Sequence, residues 1–196
     1  MAQVKKAETR QGILDAAFRL FSAAGYVNTT VAQIAKQAGV STSNVYSYFE
    51  SKVDIFYELY EPWLKDRTLV LESELKKIQS SREKLSYLLH ALWRDIPRES
   101  GGFAVNLIQA VSTIDPLKGY RPSLLQWLEQ RIASMLSECI SVEKRDYLEQ
   151  SRTAHLLMMS FDGFVISHHL HPKDQFDSEL VYQTVELLLL RRPEGE

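Results

Sequence analysis

The sequence predicts an all-α protein of about nine helices. Three observations predict it. Apolar residues return every three or four positions through most of the 196-residue chain, and no alternating run long enough for a strand survives inspection. Helix punctuation recurs: Thr30 three residues before Gln33, Gly25 and Gly39 after apolar runs, and Pro97 with Ser100-Gly101-Gly102 after another. A hydrophobic content of 45% suffices for a core, and 24% charged residues keeps the remaining faces polar.

Taken in order, Ala7 to Ala24 forms the first helix, with Ile13, Leu14, Ala17, Phe18 and Phe21 on one side and Gly25 closing it. Thr30 caps a short helix bearing Val31, Ile34, Ala35 and Ala38, and Gly39 ends it in a left-handed turn. Val40 plugs the angle, and Ser41 caps the next helix, Thr42 to about Phe49. A longer helix runs from Lys52 to about Ile78, carrying Ile55, Phe56, Leu59, Tyr60, Trp63 and Leu64, with a bend expected at Pro62. Arg82 to Asp95 and Phe103 to Val111 follow. Leu117 to Pro122 reads as a loop, although Pro122 can equally open the next helix, which reaches about Cys139. Glu143 to about His168 and Phe176 to Leu190 complete the set, with Arg191 and Arg192 at the final C-terminal pole and Pro193 as the stop.

Between Thr29 and Lys52 the spacing is informative. Ala35, Gly39 and Val45 put a small residue where two helices cross, a glycine where the chain turns, and a β-branched residue where the second helix packs back. That is the geometry of a helix-turn-helix, whose second helix enters the DNA major groove. The segment resembles the DNA-binding domain of the tetracycline-repressor (TetR) family. The resemblance rests on Thr30, Ile34, Ala35, Ala38, Gly39, Val40, Ser41, Val45, Tyr46, Tyr48, Phe49, Ser51 and Lys52, and the run from Tyr46 to Lys52 gives it specificity. It covers roughly the first quarter of the chain. It implies that the early recognition-helix residues and Tyr46 face DNA, that Val45 and Phe49 pack inward, and that Lys52 holds a phosphate. A plain helical hairpin, which would bury the same apolar face, has no need of that run.

Charge agrees once it is divided. Residues 1–53 hold six basic and three acidic side chains, a net +3, whereas the remainder carries −5 and the whole chain −2. The expected domains are therefore 1–53, a three-helix DNA-binding domain, and 54–196, a helical ligand-binding and dimerisation domain. Expected DNA contacts are Thr29, Thr30, Lys36, Ser41, Thr42, Ser43, Asn44, Tyr46, Ser47, Tyr48 and Lys52. The recognition helix holds no Arg or Lys, so base reading falls to Asn, Ser, Thr and Tyr, with Asn44 suited to adenine. For Thr30 and Ser41, helix capping competes with a DNA contact.

In the rest of the chain, Trp63, Trp93, Phe103, Trp127, Met158 and Met159 are candidates to line a ligand cavity, with Asn106, Gln109, Arg131, His155 and Asp162 as orienting polar groups. The helix around residue 160 is apolar on two sides. Ala154, Met158, Phe161 and Val165 make one stripe and His155, Met159, Asp162 and Ile166 the other, while Gly163 permits close approach. The Asp162-Gly163 pair also resembles one in this helix of the family. Dimerisation is expected through Phe161, Gly163, Val165, Val181, Val185, Leu188 and Leu189. His168, His169 and His171 sit where a helix C-terminus accounts for them without a metal.

No catalytic constellation, cofactor motif or metal site is legible, so no enzymatic activity is expected. No apolar run is long enough to span a bilayer, no signal core opens the chain, and Cys139 stands alone, which fits a reducing cytoplasm. The expected function is a cytoplasmic, homodimeric transcription regulator: a repressor bound to palindromic double-stranded DNA and released by a small-molecule effector. A regulator controlled by a protein partner, and a helical enzyme with a docking helix-turn-helix, are its rivals.

Overall fold

The computed structural model describes residues 2–99, 101–113, 122–140, 152–173 and 175–189. Among these residues there are nine α-helices and no strand: α1 (Ala2–Asn28), α2 (Val31–Ala38), α3 (Thr42–Tyr46), α4 (Lys52–Lys77), α5 (Ser81–His90), α6 (Phe103–Val111), α7 (Pro122–Cys139), α8 (Thr153–Leu170) and α9 (Ser178–Leu189). The expected loop over 117–121, the start of the helix expected at Glu143, and Leu190 to Pro193 lie outside the described residues.

The chain divides into two compact units. The first comprises residues 1–66 and 99–122, the second 67–98 and 123–196, so α4 supplies residues to both. The helix continues through Pro62.

In the first unit, Ile13, Ala17, Phe21, Ile34, Val45, Phe49 and Phe56 are buried, sealing α1 to α4 around one core. Its aromatic members interlock: Phe56 lies edge-on to Phe21 and Tyr26 and stacks on Tyr60 at 5.4 Å between ring centres. Rings of this kind contribute burial and orientation together. Helix α6 packs on α1. Gly25 interrupts α1 at φ 82 and ψ 162, a conformation that glycine alone adopts without strain.

The second unit is built on Leu71, Leu75, Leu85, Leu88, Leu89, Ile132, Leu136 and Leu157, with Val181 and Val185 from α9. Helix α5 passes into a π-helical turn over Ala91–Asp95, where the amide of Ile96 reaches the carbonyl of Ala91 at 3.0 Å. The wider turn carries Trp93 into the core, where its ring stacks on Phe164 at 4.9 Å and its Nε1 donates to Ser160 Oγ at 2.8 Å. Among the described residues, no helix is long and apolar enough to cross a membrane.

Candidate nucleic-acid interface

The helix-turn-helix is assembled from local bonds. Thr30 and Gln33 form a reciprocal capping box at the start of α2: the threonine hydroxyl accepts the Gln33 amide at 3.2 Å, and the Thr30 amide donates to Gln33 Oε1 at 2.7 Å. Gly39 takes the left-handed turn at φ 69, and the next amide, of Val40, closes on the carbonyl of Ala35 at 3.0 Å. Ser41 then caps α3 through the amide of Asn44 at 3.2 Å.

Helix α3 is shorter than expected. It ends at Tyr46, and Ser47 and Tyr48 form a turn in which the Ser47 hydroxyl donates to the carbonyl of Asn44 at 2.7 Å. A serine that bonds back into the preceding turn competes with helix continuation. Val45 is fully buried while Tyr46 is 54% exposed, and Thr42, Ser43 and Asn44 are exposed with it. One side of the helix is therefore sealed, and the other presents only uncharged hydrogen-bonding groups.

Several expected contacts have another use. Thr29 is only 1% exposed and its hydroxyl donates to the carbonyl of Gly25 at 2.8 Å, so this residue faces inward and is not a surface contact. Thr30 and Ser41 are caps, as above, although both remain exposed. Lys36 is exposed in the last turn of α2. The ammonium of Lys52 donates to the carbonyls of Tyr26 at 2.8 Å and Thr29 at 2.9 Å, lies 4.0 Å from the centre of the Tyr26 ring, and has its pKa lowered by desolvation.

Lys6 belongs to the basic excess of residues 1–53. Its Nζ lies 5.9 Å from the centre of the Tyr48 ring, which adds a cation beside the end of the recognition segment. Nothing in the spacing of residues 6 and 48 announces that meeting. Arg10 is instead tied to Glu58 at 2.8 Å and lies over Phe49.

The residues proposed around a ligand divide between the units. In the first, Trp63 and Phe103 stack on each other at 4.9 Å. Asn106 and Gln109, expected as orienting groups for a ligand, have their carboxamides turned onto α1. In the second, Trp93 is bound to Ser160, Arg131 pairs with Glu72, and Trp127 and Met158 are half-buried. His155, Met159 and Asp162 are exposed on the outer side of α8 with Gly163, Leu156, Ile166 and Leu170. They therefore do not line an interior cavity of this unit.

The residues expected at a dimer interface divide by burial. Val165, Val181 and Val185 are buried in the protomer's own core, and Phe161, Leu188 and Leu189 are half-buried. The apolar side chains left outside are Leu156, Met159, Ile166 and Leu170 on α8, and Leu180 and Leu187 on α9. A helix apolar on two sides does not declare in its sequence which side meets its own core. An open groove of about 670 Å³ also lies between α5 and α9, lined by Ser86, Tyr87, His90, Val181 and Tyr182 among others; no expected ligand residue borders it.

Comparison with known proteins agrees with this geometry. Residues 13–59 match the family described as bacterial regulatory proteins, tetR family. The chain is 28% identical over 179 residues to the HTH-type transcriptional regulator AcrR of Shigella flexneri, covering 87% of this chain and 82% of that protein. It is 39% identical over 87 residues to the HTH-type transcriptional regulator HbdR of Aromatoleum sp. strain CIB, covering 44% of this chain and 36% of that protein. The fold is shared with the transcriptional regulator FadR of Bacillus subtilis, solved with stearoyl-CoA: TM-score 0.65, 20% identity, 91% of this chain and 97% of that one. The domain and its fold define a helix-turn-helix transcription regulator. Residues 13–59 carry the DNA-binding domain of the tetR family of bacterial regulatory proteins.

Proposed function

We propose that this regulator is a homodimeric repressor, working in the cytoplasm, which holds a near-palindromic operator until a small molecule releases it. The observation that carries the reading is the two-sided α3: Val45 sealed inward, with Thr42, Ser43, Asn44 and Tyr46 presented outward. Those four read bases, and Asn44, with one donor and one acceptor in a plane, takes an adenine edge. Lys36, Tyr48, Lys52 and Lys6 serve the phosphates, with Ser47 beside them.

Residues 1–53 act as the DNA-binding part and 54–196 as the effector and dimerisation part. A two-fold dimer places two recognition helices one helical turn of DNA apart, which is what demands a palindrome. The uncovered apolar stripes on α8 and α9 support a dimer through these helices. Within the second unit, Trp127, Arg131 and Met158 are the candidate effector contacts. The stearoyl-CoA complex of a protein of the same fold supports small-molecule control.

The test is to let the purified protein select duplexes from a random-sequence pool. Enrichment of an inverted repeat bound by two protomers supports the reading. Recovery of no preferred sequence overturns it.

A further inference from the structure

We propose that Asn106 and Gln109 of α6 are positioning residues for DNA binding, setting the angle at which the helix-turn-helix is presented. The inference rests on the DNA-binding reading above and concerns residues outside the DNA-contacting segment.

Just beyond the break at Gly25, the amides of Tyr26 and Val27 are met by side chains of α6. Asn106 bridges the break. Its Oδ1 accepts the amide of Tyr26 at 2.7 Å on the far side, while its Nδ2 donates to the carbonyl of Phe21 at 3.2 Å on the near side. One turn along α6, Gln109 Oε1 accepts the amide of Val27 at 3.2 Å. Asn106 is only 3% exposed, and a carboxamide is costly to bury unless both of its ends are bonded. Both ends here are bonded to α1.

Gly25 is matched to this grip in a second way. A Cβ at position 25 would lie 3.0 Å from Gln109 Oε1 and would press on the end of that side chain, while the positive φ strains any residue other than glycine there. The Thr29 hydroxyl on the Gly25 carbonyl, and Lys52 on the carbonyls of Tyr26 and Thr29, secure the other groups of the same joint. Helix α2 starts two residues later, at Val31, and its capped turn fixes α3 to it. A small rotation at residues 25–29 therefore moves the recognition helix as a body.

The experiment compares Gln109→Ala, Gln109→Glu and Asn106→Ala with the unaltered protein. The readouts are affinity for the duplex the unaltered protein selects, affinity for a scrambled duplex of the same length, and melting temperature. Gln109→Ala should lose about tenfold on the selected duplex, the scale of one hydrogen bond, with scrambled-duplex binding unchanged. Gln109→Glu keeps the accepting oxygen and should retain most of the discrimination. Asn106→Ala should lose more, and if it fails to fold, Gln109→Ala decides alone. Gln109→Ala with full discrimination, or with equal losses on both duplexes, overturns the inference and leaves the DNA-binding reading standing. Failure of the unaltered protein to select any duplex overturns both.

Discussion

The ammonium of Lys52 lies 2.8 Å from the carbonyl oxygen of Tyr26 and 4.0 Å from the centre of that residue's ring. With the Thr29 carbonyl at 2.9 Å, two of its three N–H donors are directed into the protein. The lysine that the family resemblance assigns to a phosphate is thus a brace at the foot of the helix-turn-helix. Lys52→Met should destabilise the fold by about 1–3 kcal/mol, because the Thr29 carbonyl loses the lysine donor and the Tyr26 carbonyl keeps only the Thr29 amide at 3.3 Å. It should also reduce the slope of log affinity against log salt by about one. Chemical denaturation and a salt titration separate the two roles, and a stability loss with an unchanged slope would leave only the brace.

Asn44 and Lys6 should behave oppositely. Asn44 is exposed on α3, so Asn44→Ala should cost about 1–3 kcal/mol on the preferred site and relax preference at one base pair per half-site. Lys6→Ala should weaken binding on every sequence and shallow the salt dependence. Competition binding against single-base variants of the selected duplex distinguishes them. Altered base preference in Lys6→Ala would reassign that residue.

Much of this site was legible because it is local. The Thr30–Gln33 box, the Gly39 turn and the Ser41 cap each depend on residues within five positions of one another, and the spacing shows them directly. Thr29 was misplaced because its hydroxyl turns to Gly25, whose break in α1 swings the chain inward there. The partners of Asn106 and Gln109 lie 80 and 82 residues away, and no periodicity encodes a distance of that kind. Helix α8 failed for another reason. Both of its stripes carry apolar residues, and only the packing of Leu157 and Val165 inward shows that Met159 and Ile166 are the ones left outside.

The exposure of α8 and α9 decides which side chains probe dimerisation. Leu187 is 69% exposed and Val185 is 2% exposed, two positions apart on α9. Ile166→Glu with Leu187→Glu should give folded monomers in sedimentation and abolish binding to the selected duplex. Val185→Glu should instead unfold the protomer, since a buried carboxylate without a partner is strongly destabilising. Intact dimers from the Ile166 and Leu187 pair would remove α8 and α9 from the interface.

Cys139 provides a pH readout of the second unit's core. It is buried, its thiol donates to the carbonyl of Met135 at 3.0 Å, and burial pushes its pKa from 9.0 to about 11. In the unfolded chain the thiolate forms first, so the unfolded state holds fewer protons between those values. Stability should then be fully present below pH 9 and fall as pH rises towards 11. Cys139→Ala should flatten that part of the profile, leaving the decline from Tyr26, whose pKa burial raises to about 12. At pH 8 a maleimide should label the native protein far more slowly than the denatured protein. Equal labelling rates would show that the thiol is accessible in the native state.

Effector control requires a measurable reciprocity. Helix α4 contributes Lys52–Asp66 to the first unit and Arg67–Lys77 to the second, so it is a continuous element through which binding in one can bias the other. Pro62 removes one intrahelical bond within it, at the point where a change of curvature costs least. For an effector to lower DNA affinity 100-fold, it must bind the DNA-incompetent state about 2.7 kcal/mol better than the competent one. DNA must then weaken effector binding by the same factor. The probe is whatever small molecule is extracted from protein produced in its own host, titrated against the fluorescence of Trp63, Trp93 and Trp127 with and without the selected duplex. A 100-fold difference between the two titrations, matched by a 100-fold loss of duplex affinity at saturation, is the expected result. Equal affinities would leave a DNA-binding regulator and remove its control by that molecule.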